Sequence, residues 1–230
     1  MKFPFLALGA LVALHPSLSG SQTAVVWDGS QADHFSHDDG AFTLGFQFRA
    51  TSDLTVTALG AYDYLGDGFA TSHTVGIWRA DGGDPIATTT LSAGTTASLR
   101  GQFRFGDIPG VTLSAGTEYV IGASEFFGAT KDIYTGGIPV SAFSVDPNLT
   151  FLGARGSGEA DGLNFPGVHF DPGSPTTFGA NFEFVVVPEP SVAALLAVGG
   201  LAGAVALRRR SGSGGGAVVR KDSTLPRRSW

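Results

Sequence analysis

Three stretches of this chain place an aromatic or small apolar residue at every second position, a spacing that an extended strand with one dry face satisfies and a helix does not. In FTLGFQFR (42–49), Phe42, Leu44, Phe46 and Phe48 share one face, and Thr43, Gln47 and Arg49 the other. In ASLRGQFRF (97–105), Ala97, Leu99, Phe103 and Phe105 oppose Ser98, Arg100, Gln102 and Arg104. In FGANFEFVV (178–186), Phe178, Ala180, Phe182, Phe184 and Val186 oppose Asn181 and Glu183. Strands with one buried and one wet face are those of antiparallel sheets.

Further strands are expected at LTVTALGA (54–61), HTVGIWR (73–79), PIATTTL (85–91), EYVIGAS (118–124) and LTFLG (149–153). Turn chemistry separates them: GDG at 66–68, ADGGDP at 80–85, SAGT at 92–95 and 114–117, and DPN at 146–148. Short strands repeated at such intervals predict an all-β, antiparallel β-sandwich or jelly-roll-like domain over residues 24–187. The 34 glycines and the low share of charged residues, 15%, agree with strands and turns rather than helices. With no cysteine in the chain, packing rather than disulfides must hold the domain. Thiol catalysis and cysteine metal sites are excluded too.

Charge is divided unevenly. Residues 24–187 hold 18 Asp/Glu against six Lys/Arg, a net charge of −12, whereas residues beyond 207 hold seven Lys/Arg and one Asp. An acidic body repels nucleic-acid phosphates, so nucleic acid is not an expected partner.

The two ends carry addresses. Lys2, an apolar run from Phe3 to Leu14, and the small residues Ser17, Ser19 and Ser21 have the layout of a secretory signal peptide, here 1–21. Near the other end, Ser191 to Leu207 is an uncharged run of 17 residues. As a helix it spans roughly 26 Å at about 1.5 Å per residue, the lower limit for crossing a bilayer. A single transmembrane helix at 191–207 is therefore expected. Arg208, Arg209 and Arg210 act as its stop and leave the preceding domain outside. Pro188-Glu189-Pro190 cannot continue a helix and makes an extended stretch before it.

VPEPS, a short apolar helix and an arginine cluster, in that order over residues 188–210, resemble the PEP-CTERM sorting signal of Gram-negative bacteria. The resemblance implies residence in the inner membrane, recognition by an exosortase-type enzyme at Pro188, Glu189 and Pro190, and loss of the helix. Delivery to the cell surface or extracellular matrix follows, often beside exopolysaccharide. Residues 211–230, SGSGGGAVVRKDSTLPRRSW, continue past the arginines as a basic, flexible cytoplasmic tail. A second resemblance lies in the body. His73, Val75, Ile77 and Trp78, then Leu113, Ala115, Gly116, Thr117, Tyr119 and Val120, are similar to elements of an uncharacterised extracellular β-sandwich domain of bacterial surface proteins. It implies a fold and brings no established activity.

Candidate chemistry is sparse. His34 and His37, with Asp38 and Asp39 in DHFSHDDGAF, are residue types that hold divalent ions; the competing role is a solvated polar loop. Asp63, Asp67, Asp81, Asp84 and Asp161 sit in Gly-rich turns that can carry Ca²⁺, or that simply use turn chemistry. Tyr62, Tyr64, Phe69 and Trp78 are loop-proximal rings suited to stacking on sugars or, Trp78 first among them, to core packing. There is no G-x-S-x-G elbow, H-E-x-x-H motif or phosphate loop. The expectation is a non-enzymatic, cofactor-free surface or matrix protein. Its alternatives are a carbohydrate-binding module, with or without Ca²⁺, and a secreted hydrolase with a dispersed carboxylate pair.

Overall fold

The computed structural model describes residues 20–35, 42–124, 132–158, 162–170 and 176–188. Residues 1–19 and 189–230 lie outside that description, and with them all but the last two residues of the expected signal peptide, Glu189, Pro190, the helix 191–207, Arg208, Arg209, Arg210 and the tail. Among the described residues no helix is long and apolar enough to cross a membrane.

The described chain is all-β. In order, the strands are β1 Gln22–Thr23, β2 Val25–Trp27, β3 Asp33–Phe35, β4 Leu44–Ala50, β5 Leu54–Tyr62, β6 His73–Arg79, β7 Ala87–Leu91 and β8 Ser98–Arg100. There follow β9 Phe103–Leu113, β10 Glu118–Ala123, β11 Tyr134–Gly136, β12 Phe143–Val145, β13 Leu149–Gly156, β14 Val168–His169 and β15 Ala180–Val186. A five-stranded sheet runs β1-β15-β5-β9-β8, and a six-stranded sheet runs β14-β13-β4-β10-β6-β7. Two small sheets, β11-β3 and β12-β2, complete it. Every strand pair is antiparallel.

The two large sheets share one core, a β-sandwich-like arrangement. Phe46 and Phe48 of β4 meet Phe182 of β15 across it, with ring centroids 6.4 and 4.8 Å apart. All the inward residues expected of FGANFEFVV up to Phe184 are fully buried, and Val186 is half-buried. Burial of each such phenylalanine contributes about 1.5–3 kcal/mol, which is how a chain without disulfides holds two sheets together. At the β9–β10 turn, Tyr119 buries its ring beside Phe48 and accepts the Ser114 amide through Oη at 2.9 Å.

Two expectations need correction. ASLRGQFRF is a hairpin rather than one strand: β8 turns back on β9 through Gly101 and Gln102, with Arg100 paired to Phe103 and Ser98 to Phe105. Gly101 has a φ of +60°, as the first central residue of such a tight turn requires. Leu99 is thereby left exposed. Arg104, expected on a wet face, is buried.

The outer face of the six-stranded sheet is not wholly wet either. Gly45, Gly122 and Gly76 sit side by side on β4, β10 and β6. Without side chains they leave a shallow trough, and the segment at 163–167 crosses it. A Cβ on Gly76 would meet Leu163 at 2.8 Å, and one on Gly122 would meet Pro166 at 3.1 Å. Phe165 packs edge-on against Trp78 at 5.9 Å. Polar groups fasten the segment: Arg155 Nη1 donates to Gly167 O at 3.0 Å, and Asn164 N to Thr43 Oγ1 at 3.0 Å. The same arginine donates to Gln47 Oε1, whose amide donates to Glu118. Gln47 and Thr43, read as solvent-facing, are buried for this reason.

Candidate functional site

At one edge of the sandwich, the start of β4, strand β11 and the end of β13 with the chain after it enclose an open groove of about 330 Å³. That size is at the lower end of small-molecule sites, about 300–1,000 Å³. Its walls are rings and aliphatic groups. Phe42 and Tyr134 meet edge-to-face at 6.1 Å, while Val168 and Phe170 are exposed at the rim. Ala154 and Gly156 line it from β13. None of the described lining residues is charged.

Local pairing sets these positions. Strand β11 is held by β3, with Tyr134 opposite Phe35 and Thr135 opposite His34. Ile138 and Thr176 exchange backbone hydrogen bonds of 3.1 and 2.8 Å. The hydroxyl of Thr177 donates to the Thr135 carbonyl. Phe170 is fixed by its amide, which donates to Ala154 O at 3.0 Å. Ser157 Oγ accepts the Thr43 amide and donates to Gly158 O. The hydroxyls of Thr135 and Thr176 differ from these: both are buried, and neither has a hydrogen-bond partner.

The residues singled out in the sequence do not converge on this groove. Tyr62 is buried, tilted against Trp27 at 5.7 Å and edge-to-face with Phe103 at 6.0 Å. Burial, with help from Tyr64 and Asp63, pushes its phenol far above the ordinary tyrosine value. Trp78 is buried beneath Phe165. Neither ring presents a free face to a sugar, which corrects the stacking role considered for them; the core role for Trp78 becomes an outer-face one. Tyr64 is partly exposed and His34 is exposed, and the two rings meet at a tilt with centroids 4.6 Å apart. His37, Asp38 and Asp39 lie outside the described residues, as does Asp161. Among the described residues no group of three or more His, Cys, Asp or Glu is placed to hold a metal ion.

Two buried carboxylates are used structurally. Asp63 accepts Arg104 Nε at 2.5 Å and the Gly68 amide at 3.1 Å, both residues of the ion pair being buried. Arg104 also donates to the carbonyls of Ala97, Thr95 and Gly66. This pair locks the turn that carries Leu65, a residue with φ +63° and three-quarters exposed. Asp132 accepts the amides of Ala70 and Thr71 at 2.8 and 3.0 Å and faces His73 Nε2 at 3.4 Å. His73, fully buried, donates through Nδ1 to Ser124 O at 2.6 Å.

Burial works to raise the Asp132 pKa, but the His73 contact and the two amides outweigh it, and the carboxyl is held below its ordinary value. A folded pKa below the unfolded one, about 3.9, gives stability that is present above about pH 4 and lost as the pH falls through the folded value. Thermal unfolding followed from pH 7 to pH 2 should therefore show Asp132→Asn less stable at pH 7 and flatter on the acid side than the native chain. Parallel curves would mean that Asp132 contributes nothing to the acid limb.

A family model described as a domain of unknown function (DUF4082) matches residues 29–166, and the chain belongs to that family. No curated protein matches it. The matched span includes both sequence elements at His73–Trp78 and Leu113–Val120. It stops short of β15, whose phenylalanines close the core between the sheets.

Proposed function

We propose that this DUF4082-family chain is an exported, non-enzymatic surface or extracellular-matrix protein, sorted by its C-terminal segment and contributing to an exopolysaccharide or biofilm layer. One observation carries the reading: the sheet ends where the sorting-like sequence begins. Strand β15 stops at Val186, the Val187 amide donates to Asp53 O at 2.8 Å, and Pro188 is exposed. Proline has no N–H to extend the ladder. In this reading the signal peptide opens the export route. The helix 191–207 then holds the chain in the inner membrane, with Arg208, Arg209 and Arg210 on the cytoplasmic side. An exosortase-type enzyme reads Pro188-Glu189-Pro190 and releases the domain outward.

The test is localisation of the native chain beside a triple Ala variant at Pro188, Glu189 and Pro190. The native domain should reach the cell surface or medium, and the variant should remain with the inner membrane. Equal distribution of the two would remove the sorting role. Carbohydrate binding is the second reading, and the aromatic groove, uncharged among its described lining residues, favours it; Tyr62 and Trp78 do not.

A further inference from the structure

We infer that the groove between β4, β11 and β13 is a binding site for one neutral pyranose unit of a glycan. The inference deepens the carbohydrate-binding reading and rests on it, and it is independent of how the C-terminal segment is processed.

The argument starts from two hydroxyls. A buried polar group without a partner costs about 1–3 kcal/mol, and native proteins keep few of them. Thr135 and Thr176 both carry such a hydroxyl, and both line this groove. They come from distant segments that meet through the backbone bonds between Ile138 and Thr176. Meanwhile the groove leaves apolar surface at its rim, where Phe170 is 43% and Val168 50% exposed. A ligand that resolves both features has hydroxyls at one edge and C–H faces for aromatic rings. That is the chemistry of a pyranose ring: its C–H face packs on Phe42, Tyr134 or Phe170, and its hydroxyls pair with Thr135 and Thr176 once those two side chains, whose hydroxyls are closed to solvent in this structure, rotate toward the groove.

Charge narrows the class. The described lining holds no cation to receive a carboxylate or sulfate, and the body around it is strongly acidic. Placing an anion there means desolvating it without a partner. Neutral sugars are therefore preferred over uronic acids.

The experiment uses the full chain in a detergent without a sugar head group. Binding of methyl glucoside, galactoside and mannoside, of glucuronate and of decanoate is followed by saturation-transfer NMR and titration. At least one neutral glycoside should bind, with glucuronate weaker. Thr135→Val and Thr176→Val should each weaken binding about tenfold, the loss of one hydrogen bond. Neither should lower the thermal midpoint, since each removes an unpaired buried hydroxyl rather than a bonded one. Phe170→Ala, at the exposed rim, tests the aromatic wall without disturbing the core and should also weaken binding. Saccharide binding that none of the three variants changes overturns the groove assignment and leaves the carbohydrate reading standing. No binding of any neutral glycoside overturns both. Binding of decanoate alone, lost in Phe170→Ala, makes the groove an acyl site and overturns the inference.

Discussion

Arg104→Met is expected to destabilise the fold by about 3–5 kcal/mol, the cost of breaking a buried ion pair from one side. Asp63 would stay buried with only the Gly68 amide on its carboxylate, having lost its bond to Arg104 Nε. The carbonyls of Gly66, Thr95 and Ala97 would lose their donors at the same time. The damage extends beyond the pair, because Arg104 joins three pieces of chain: the turn after β5, the loop before β8, and β9 itself. Arg104→Lys keeps the charge but cannot reach all of these acceptors with one ammonium, so its loss should be smaller than that of Met yet clearly measurable. Urea unfolding of the three chains measures both. A loss below about 1 kcal/mol for Arg104→Met would mean that the pair is no better than an exposed one.

Phe182→Ala should cost a similar amount, about 3–5 kcal/mol, by a different route. Phe182 is fully buried between the sheets and touches the rings of Phe46, Phe48 and Phe184. Removing it takes away apolar burial and leaves a cavity bounded by strands of both sheets, which cannot close without moving a strand. The neighbouring outward residue on the same strand provides the control. Glu183→Ala removes a bond to Arg100, whose side chain is 41% exposed, and should cost about 1 kcal/mol, well below the loss at Phe182. The same unfolding experiment reads both, and equal effects at Phe182 and Glu183 would contradict the assignment of faces along β15.

What could be read from the residues divides by the distance over which the signal acts. Period-two alternation is local, so it located β4, β6 and β15, with β6 at the expected bounds, His73–Arg79. It misread residues 97–105, because alternation carries across Gly101 as though the chain were straight, while a positive φ there reverses it. It placed Arg104 in solvent, because alternation does not register that loops close over the end of a strand. Glycines inside strands signal close approach of another piece of chain, and Gly76 and Gly122 held that signal for the segment that covers Trp78. The groove left no local trace. Phe42, Tyr134, Phe170 and Thr176 come from four separate segments, brought together by the pairing of β11 with β3, the Ile138–Thr176 bridge, the Phe170–Ala154 bond and the Thr43–Ser157 bond. The contact between His73 and Asp132 spans a similarly long stretch of chain.

The most direct test of the central claim, that this sandwich is exported and released at its C-terminal address, is the intact mass of the mature native protein recovered from cells. Release predicts a chain that has lost the leader around residue 21 and everything after the Pro188-Glu189-Pro190 region, including the basic tail. A mature mass that still contains residues 191–230 would contradict it.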